Sequence, residues 1–195
     1  IGIRPGYKTF ATMHILDTKK GIYYISDTLI NRHPDENVLY DIARLSADAV
    51  RFFNDKPVMA MISYSNFGTD TIGSPQKVHA AVEKMQQEFP DLAVDGEMQV
   101  NFAMDKKLRD DKYPFTRLKG KNVNTLIFSN MSSANGSYKL LQALNSDAEI
   151  IGPIQMGLKK PIHFTDFECS VRDIVNITAV AAIDAYVEKI KNSKK

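Results

Sequence analysis

The sequence predicts an α/β protein with a three-layer, doubly wound architecture and a mainly parallel sheet. Two observations carry that expectation. Strand-like apolar runs alternate along the chain with segments whose apolar residues recur three and four apart, the periods of strand and helix in turn. One run, PVMAMISYS (57–65), is apolar at nearly every position, as a strand covered on both faces by helices must be. Strands joined through helices then pair in parallel with right-handed crossovers.

Taken in order, YKTFATMHIL (7–16) and GIYYISDT (21–28) read as two strands, joined by the polar DTKK as a hairpin or as neighbours. From Pro34 the period changes: Val38, Leu39, Ile42, Leu45, Ala49, Phe52 and Phe53 form one face of an amphipathic helix. After PVMAMISYS, a helix is predicted over 74–88, with Ser74-Pro75 as cap and first turn and Pro90 as its stop. LAVDGE (92–97) is a short strand, 105–120 a polar irregular stretch, and VNTLIFSN (123–130) another strand. A helix near 133–144, the segment EIIGPI (149–154), a strand KPIHFT (160–165) and a long helix from Ser170 to about Lys191 complete the chain.

The 195 residues, 44% apolar and 25% charged with net charge +2, describe an ordinary globular chain and argue against a disordered or nucleic-acid-coating protein. One cysteine, Cys169, cannot form an internal disulfide, which points to a reducing, cytoplasmic setting. No stretch approaches the roughly 18 apolar residues of a membrane span. IGIRPGYKTF is not built like a signal peptide, and the start at Ile1, without methionine, suggests a piece of a longer polypeptide.

Ligands of open α/β sheets gather beyond the carboxyl ends of strands, which singles out the loops after Ser63, Asp95, Phe128 and Thr165. In SYSNFGTDTIGSP (63–75), Gly68 and Gly73 have P-loop spacing, but Ser74-Pro75 replaces the required Lys-Ser/Thr, so the P-loop reading fails. There is no G-x-G-x-x-G. What remains is a loop of hydroxyls, an amide and glycine (Ser63, Ser65, Asn66, Gly68, Thr69), suited to a phosphate or a pantetheine-like amide, or simply to capping its own backbone. VDGEMQVNFA places Asp95, Glu97, Gln99 and Asn101 along one side of an extended strand, as a solvent face or cleft wall rather than a metal site. His14, His33, His79 and His163 have no metal-binding spacing and read as structural. Cys169 precedes a helix start but has no histidine near it in sequence. Ser170-x-x-Asp173 has the spacing of a helix capping box; a catalytic carboxylate at Asp173 stays open beside it.

The series SYSNFG, PDLAVDGEMQ, NTLIFSNMSSANGSYKLL, IIGPIQMGLKKPIH and SVRDIVNITAVAAIDA resembles the phosphate acetyltransferase/butyryltransferase family. It is most similar to the copy of that domain at the C-terminus of bacterial malic enzymes. The resemblance runs from Ile1 to about Tyr186. It implies that residues 1–152 form the second α/β subdomain, that 153–195 return to complete a first subdomain, and that most of the first is absent from this chain. The apolar arc of the last helix (Ile174, Val175, Ile177, Val180, Ala181, Ile183, Val187) then needs a partner surface, so the chain by itself is not expected to cover this helix fully, and burial of Val175, Val180 and Val187 would contradict that.

In active family members the loop before the last helix carries Ser-Arg-Gly, the arginine facing substrate phosphate, and an aspartate matching Asp173 serves as base toward the CoA thiol. Here those three positions are Asp166, Phe167 and Glu168, so the resemblance implies a loop that has lost its phosphate grip. The implied ligand-binding residues are Ser63, Ser65, Asn66, Gly68, Asn135, Asp166 and Phe167, with Asp173 as catalytic candidate and no metal site. The implied ligand is acetyl-CoA or a related acyl-CoA. Malate oxidation with NADP and Mg or Mn would lie in an absent N-terminal malic-enzyme region, and a homo-oligomer without nucleic-acid or membrane partners is expected. The leading expectation is therefore a non-catalytic module for acyl-CoA regulation and assembly; a working phosphate acyltransferase and a ligand-free dimerisation module are the alternatives.

Overall fold

A computed structural model describes residues 1–144, 147–167 and 169–193. Strands β1 (Ala11–Thr18) and β2 (Gly21–Ser26) form the hairpin that the sequence suggested, Thr18 opposite Gly21. Its tight turn is closed by the Thr18 hydroxyl, which donates to the Gly21 carbonyl at 2.8 Å and accepts from the Lys20 amide at 3.1 Å. The first strand begins at Ala11, four residues later than its apolar pattern. Helix α1 (Glu36–Phe52) starts where the Asp35 carboxylate accepts from the Val38 amide at 2.8 Å, an N-cap that satisfies one of the free amides of the first turn. Strand β3 (Val58–Ile62) and helix α2 (Ser74–Glu88) follow. The N-cap of α2 is Gly73, at φ +69°, rather than Ser74, which lies inside the first turn with Pro75.

Strand β4 (Ala93–Met98) ends earlier than the alternating polar pattern implied. Gln99 caps the short helix α3 (Val100–Met104), which contains Asn101, so the four polar residues do not share one extended strand. The stretch 105–120 is also not irregular throughout: Asp105 caps helix α4 (Lys106–Lys112) by accepting from the Leu108 amide at 2.9 Å. Arg109 of α4 is fully buried and donates to the carbonyls of Ala103, Leu118 and Lys121 at 3.3, 2.9 and 2.7 Å, with Asp110 at 3.1 Å to balance its charge. A highly charged stretch is thus folded around one guanidinium, a tertiary effect that local polarity hides. Strand β5 (Thr125–Phe128), helix α5 (Met131–Leu144), strand β6 (Glu149–Met156) and helix α6 (Val171–Ser193) complete the described elements. KPIHFT is no strand. Among these residues the His163 imidazole accepts from the Gln155 amide at 3.1 Å, so the segment folds back on β6 instead of extending a sheet.

Among the described residues six strands make one sheet in the order β4-β3-β5-β2-β1-β6. The pairs from β4 to β2 are parallel, and β1 runs antiparallel to both β2 and β6. Side chains alternate between two cores. On one face Met59, Met61, Ile127, Tyr24 and Met13 pack with Leu39, Ile42 and Leu45 of α1 and Val78 and Met85 of α2. On the other, Ala60, Ile62, Leu126, Phe128 and Ile25 pack with Ala103 of α3, Leu118, and Ala134 and Tyr138 of α5. The result is the predicted three layers. The chain leaves β3 toward the first face but leaves β4 and β5 toward the second, so the connections switch sides at the carboxyl end of β3, the usual place for a ligand in such sheets.

Helix α6 is held differently. Among its described side chains Ile177, 6% exposed, is buried; Val175 is 60% exposed, Val180 and Val187 are half-buried, and Val171, Ile183 and Tyr186 face outward. Among the described residues, Arg172 and Asn176 reach Glu149 of β6 at 2.5 and 3.2 Å, and Glu188 pairs with Lys160 of the segment after β6 at 2.7 Å. Exposed pairs of this kind contribute about 0 to 1 kcal/mol.

Candidate ligand-binding site

The loop after β3 turns on Gly68, whose φ of +83° suits a residue without a Cβ. Its polar groups are engaged inside the protein. The Ser65 hydroxyl and the Gly68 amide both donate to Glu97 Oε1, at 3.0 and 2.7 Å, and the Phe67 amide donates to the Glu97 carbonyl at 2.8 Å. The Asn66 side-chain oxygen accepts from the Gln99 amide at 2.9 Å, and Thr69 Oγ1 accepts from the Asn66 amide at 3.1 Å. Ser63 Oγ lies 3.5 Å from Ser74 Oγ at the start of α2. Glu97 can reach this loop because β4 presses against β3 at Gly96, where a Cβ would fall 2.5 Å from the Met61 carbonyl oxygen.

Both carboxylates of DGEMQ are therefore interior groups rather than a solvent face. Asp95 accepts from the Thr116 hydroxyl at 2.6 Å, the Arg117 amide at 2.8 Å and the Gln86 side chain at 3.1 Å. Among the described residues no three His, Cys, Asp or Glu side chains are placed to hold a metal ion.

Next along the carboxyl edge, the Asn135 side-chain amide donates to the Thr28 carbonyl at 3.2 Å and so ties α5 to the loop after β2. That loop is organised by Asp27, which sequence reasoning passed over. Its buried carboxylate accepts from the Thr12 amide (2.9 Å) and hydroxyl (2.7 Å) and from the Asn31 amide (2.7 Å) and side chain (2.6 Å). His14 stands beside it, Nδ1 2.9 Å from the Thr28 hydroxyl and its ring stacked on Tyr138 at 4.0 Å; burial, helped by the charge of Lys139, pulls the imidazole down to about 4. His163 is also lowered by burial, against the opposing charge of Asp184.

The loop before α6 lies at the far edge of the sheet. Asp166 accepts from the amide of Phe167 at 2.7 Å, and the Phe167 ring is fully exposed; Glu168 lies outside the described residues. Asp173 accepts from the Ser170 amide and hydroxyl, both at 2.8 Å, while the Asp173 amide donates back to the Ser170 hydroxyl at 3.2 Å. That is a reciprocal capping box, with a carboxylate placed at the positive end of the helix.

The sequence-predicted residues thus form two groups: Ser63, Ser65, Asn66, Gly68 and Asn135 beyond β3 and β5, and Asp166, Phe167 and Asp173 beyond β6. Strands β5, β2 and β1 separate β3 from β6, a width of about 19 Å at the usual strand spacing. None of these residues lines the cavity of about 480 Å³ between α1, β6 and α6, or the apolar groove of about 460 Å³ beside α3 and α5.

With this geometry in place, the comparisons are specific. The profile of the family described as "Phosphate acetyl/butaryl transferase" matches residues 1–182. This chain belongs to the phosphate acetyl/butyryl transferase family. The NADP-dependent malic enzyme of Escherichia coli K12 is 36% identical over 189 residues, 97% of this chain and 25% of that protein. The phosphate acetyltransferase of Clostridium acetobutylicum is 36% identical over 188 residues, 93% of this chain and 56% of that protein. The structure of a phosphotransacetylase from Streptococcus pyogenes superposes with a TM-score of 0.88 at 30% identity, over 95% of this chain and 56% of that one. The chain therefore spans a quarter of the malic enzyme and just over half of the acetyltransferase. Among the described residues no helix is long and apolar enough to cross a membrane.

Asp27 is a site-organising residue that sequence reasoning missed, and Glu97 is one that it set on a solvent face or cleft wall. The available signal was their position at strand ends, where a carboxylate meets free loop amides.

Proposed function

We propose that this chain is the phosphate-acetyltransferase-like part of a larger malic enzyme, that it binds acetyl-CoA or a related acyl-CoA without turning it over, and that it serves regulation and homo-oligomer assembly. The observation that carries the reading is the loop before α6. A carboxylate and an exposed phenyl ring, Asp166 and Phe167, stand where the family resemblance implies a phosphate-gripping Ser-Arg, and Asp173 is engaged as a helix cap. Loss of one charged hydrogen bond to a developing anion costs about 2 to 4 kcal/mol of transition-state stabilisation, roughly a hundred- to thousand-fold in rate. The wide carboxyl edge between the two residue groups suits an extended ligand such as an acyl-CoA better than a lone phosphate.

In the same reading residues 1–152 are the second subdomain, and 153–195 belong to a first subdomain carried mostly by another part of the polypeptide. The uncovered side of α6 and the cavity beside it support that division. The apolar groove beside α3 and α5, lined by Tyr23, Val100, Met104 and Leu141, supports a homo-oligomer. Oxidation of malate, with NADP and Mg or Mn, belongs to the N-terminal malic-enzyme region, in a cytoplasmic protein.

The test is a calorimetric titration of the whole polypeptide with acetyl-CoA, paired with arsenolysis of acetyl phosphate in the presence of CoA. Binding that alters malate turnover, without arsenolysis, is the expected result. Arsenolysis at ordinary enzyme rates would instead establish the acyltransferase reading with Asp173 as base, and neither binding nor turnover would leave an assembly module.

A further inference from the structure

We infer that Glu97 is a positioning residue: its buried carboxylate holds the loop after β3 in the shape with which it meets a ligand. The inference rests on the acyl-CoA reading for the ligand and on geometry alone for the loop. Glu97 has no exposed surface, and one of its oxygens takes both the Ser65 hydroxyl (3.0 Å) and the Gly68 amide (2.7 Å). Its backbone carbonyl takes the Phe67 amide at 2.8 Å, so side chain and main chain of one residue hold the loop at Ser65, Phe67 and Gly68 from inside. The second oxygen, Oε2, is buried without a hydrogen-bond partner and faces His79 Nδ1 at 3.5 Å. Burying a carboxylate with one oxygen lacking a hydrogen bond is costly, and what offsets it here is the acceptor at Oε1 that fixes the loop. Here it also occupies the place that an outside anion would need at the Gly68 amide. The Gly68 amide is therefore closed to free phosphate, and what the loop presents outward is the exposed surface of Tyr64, Gly68 and Thr69.

The experiment uses the whole polypeptide with the variants Glu97→Ala, Glu97→Gln and Ser65→Ala, read by residue-resolved amide exchange without ligand and by acetyl-CoA titration. In Glu97→Ala, exchange is expected to rise tenfold or more not only at Gly68 but also at Thr69 and Gln99, whose amides bond to Asn66 and not to the carboxylate. The β3 amides of Met59 to Met61 should stay unchanged. Glu97→Gln, which keeps an acceptor, should remain within threefold of the parent, and acetyl-CoA affinity should follow the same order. Acceleration confined to Gly68, or an unchanged loop in Ser65→Ala and Glu97→Ala alike, would overturn the positioning role. Should the parent protein bind no acetyl-CoA, the acyl-CoA reading fails while the exchange pattern still decides for or against Glu97.

Discussion

The carboxyl end of the central strands and the α6 edge carry the same kinds of side chain and use them in opposite ways. Beyond β2 and β3, Asp27 and Glu97 are buried and collect hydroxyls and amides from chain segments up to 32 residues away. Beyond β6, Asp166 and Asp173 are bonded only to groups within three residues, and the apolar residues around them face outward. The first region is closed by its own long-range contacts, whereas the second is finished locally and left open. A region whose polar groups are satisfied by distant partners gains its shape from the fold; a locally capped helix with an exposed apolar side leaves that side free to be covered.

The sharpest way to break this comparison is Asp27→Ala. Removing a buried carboxylate that serves Thr12 and Asn31 should cost about 3 to 5 kcal/mol in urea denaturation. Asp166→Ala in the open loop should stay within about 0.5 kcal/mol. Equal effects would erase the distinction.

The closed region should also show acid sensitivity through His14. Burial holds its folded-state pKa at about 4, against an ordinary 6.5. Between those values the unfolded chain binds a proton that the folded chain refuses, so stability falls as pH drops from 6.5 toward 4 and is complete above 6.5. The full span amounts to about 3 kcal/mol. Denaturation curves across that window should flatten in His14→Gln.

Within α6 the contrast appears between neighbours. Ile177→Ala should cost about 2 to 4 kcal/mol through the cavity it leaves, and Val175→Ala about 0.5 kcal/mol or less in this chain alone. In the whole polypeptide the Val175 cost should rise if another segment covers the helix; melting temperatures of both forms measure it. Asp173→Ala should cost about 1 kcal/mol for a lost cap. A loss of far more, or an effect on acyl-CoA binding, would assign Asp173 a task beyond capping.

Much of this molecule was legible in its sequence wherever the controlling forces are local. The period of α1, the tight turn at Thr18 to Gly21, the near-continuous apolar run of β3 and the Ser170–Asp173 box each depend on residues a few positions apart, and the structure contains all four. The resemblance carried by the motif series led to the family, because a motif series records tertiary solutions that no single segment reveals. The misreadings came where distant groups compete with local pattern. The polar stretch at 106–112 folds because Arg109 finds carbonyls nine and twelve residues on, and KPIHFT is turned aside where His163 accepts from the Gln155 amide.

The sequence by itself determined the α/β class, the positions of most helices and strands, and the capping of the last helix, since these follow from side-chain periodicity and from bonds within one turn. Only the tertiary structure decided that β6 pairs antiparallel with β1, that the alternating carboxylates of β4 face inward, and that Glu97 fills the loop after β3. Those outcomes depend on which distant backbone comes within hydrogen-bond reach of a group that would otherwise be buried without a partner, and distance in space is not written in the spacing of residues along a chain.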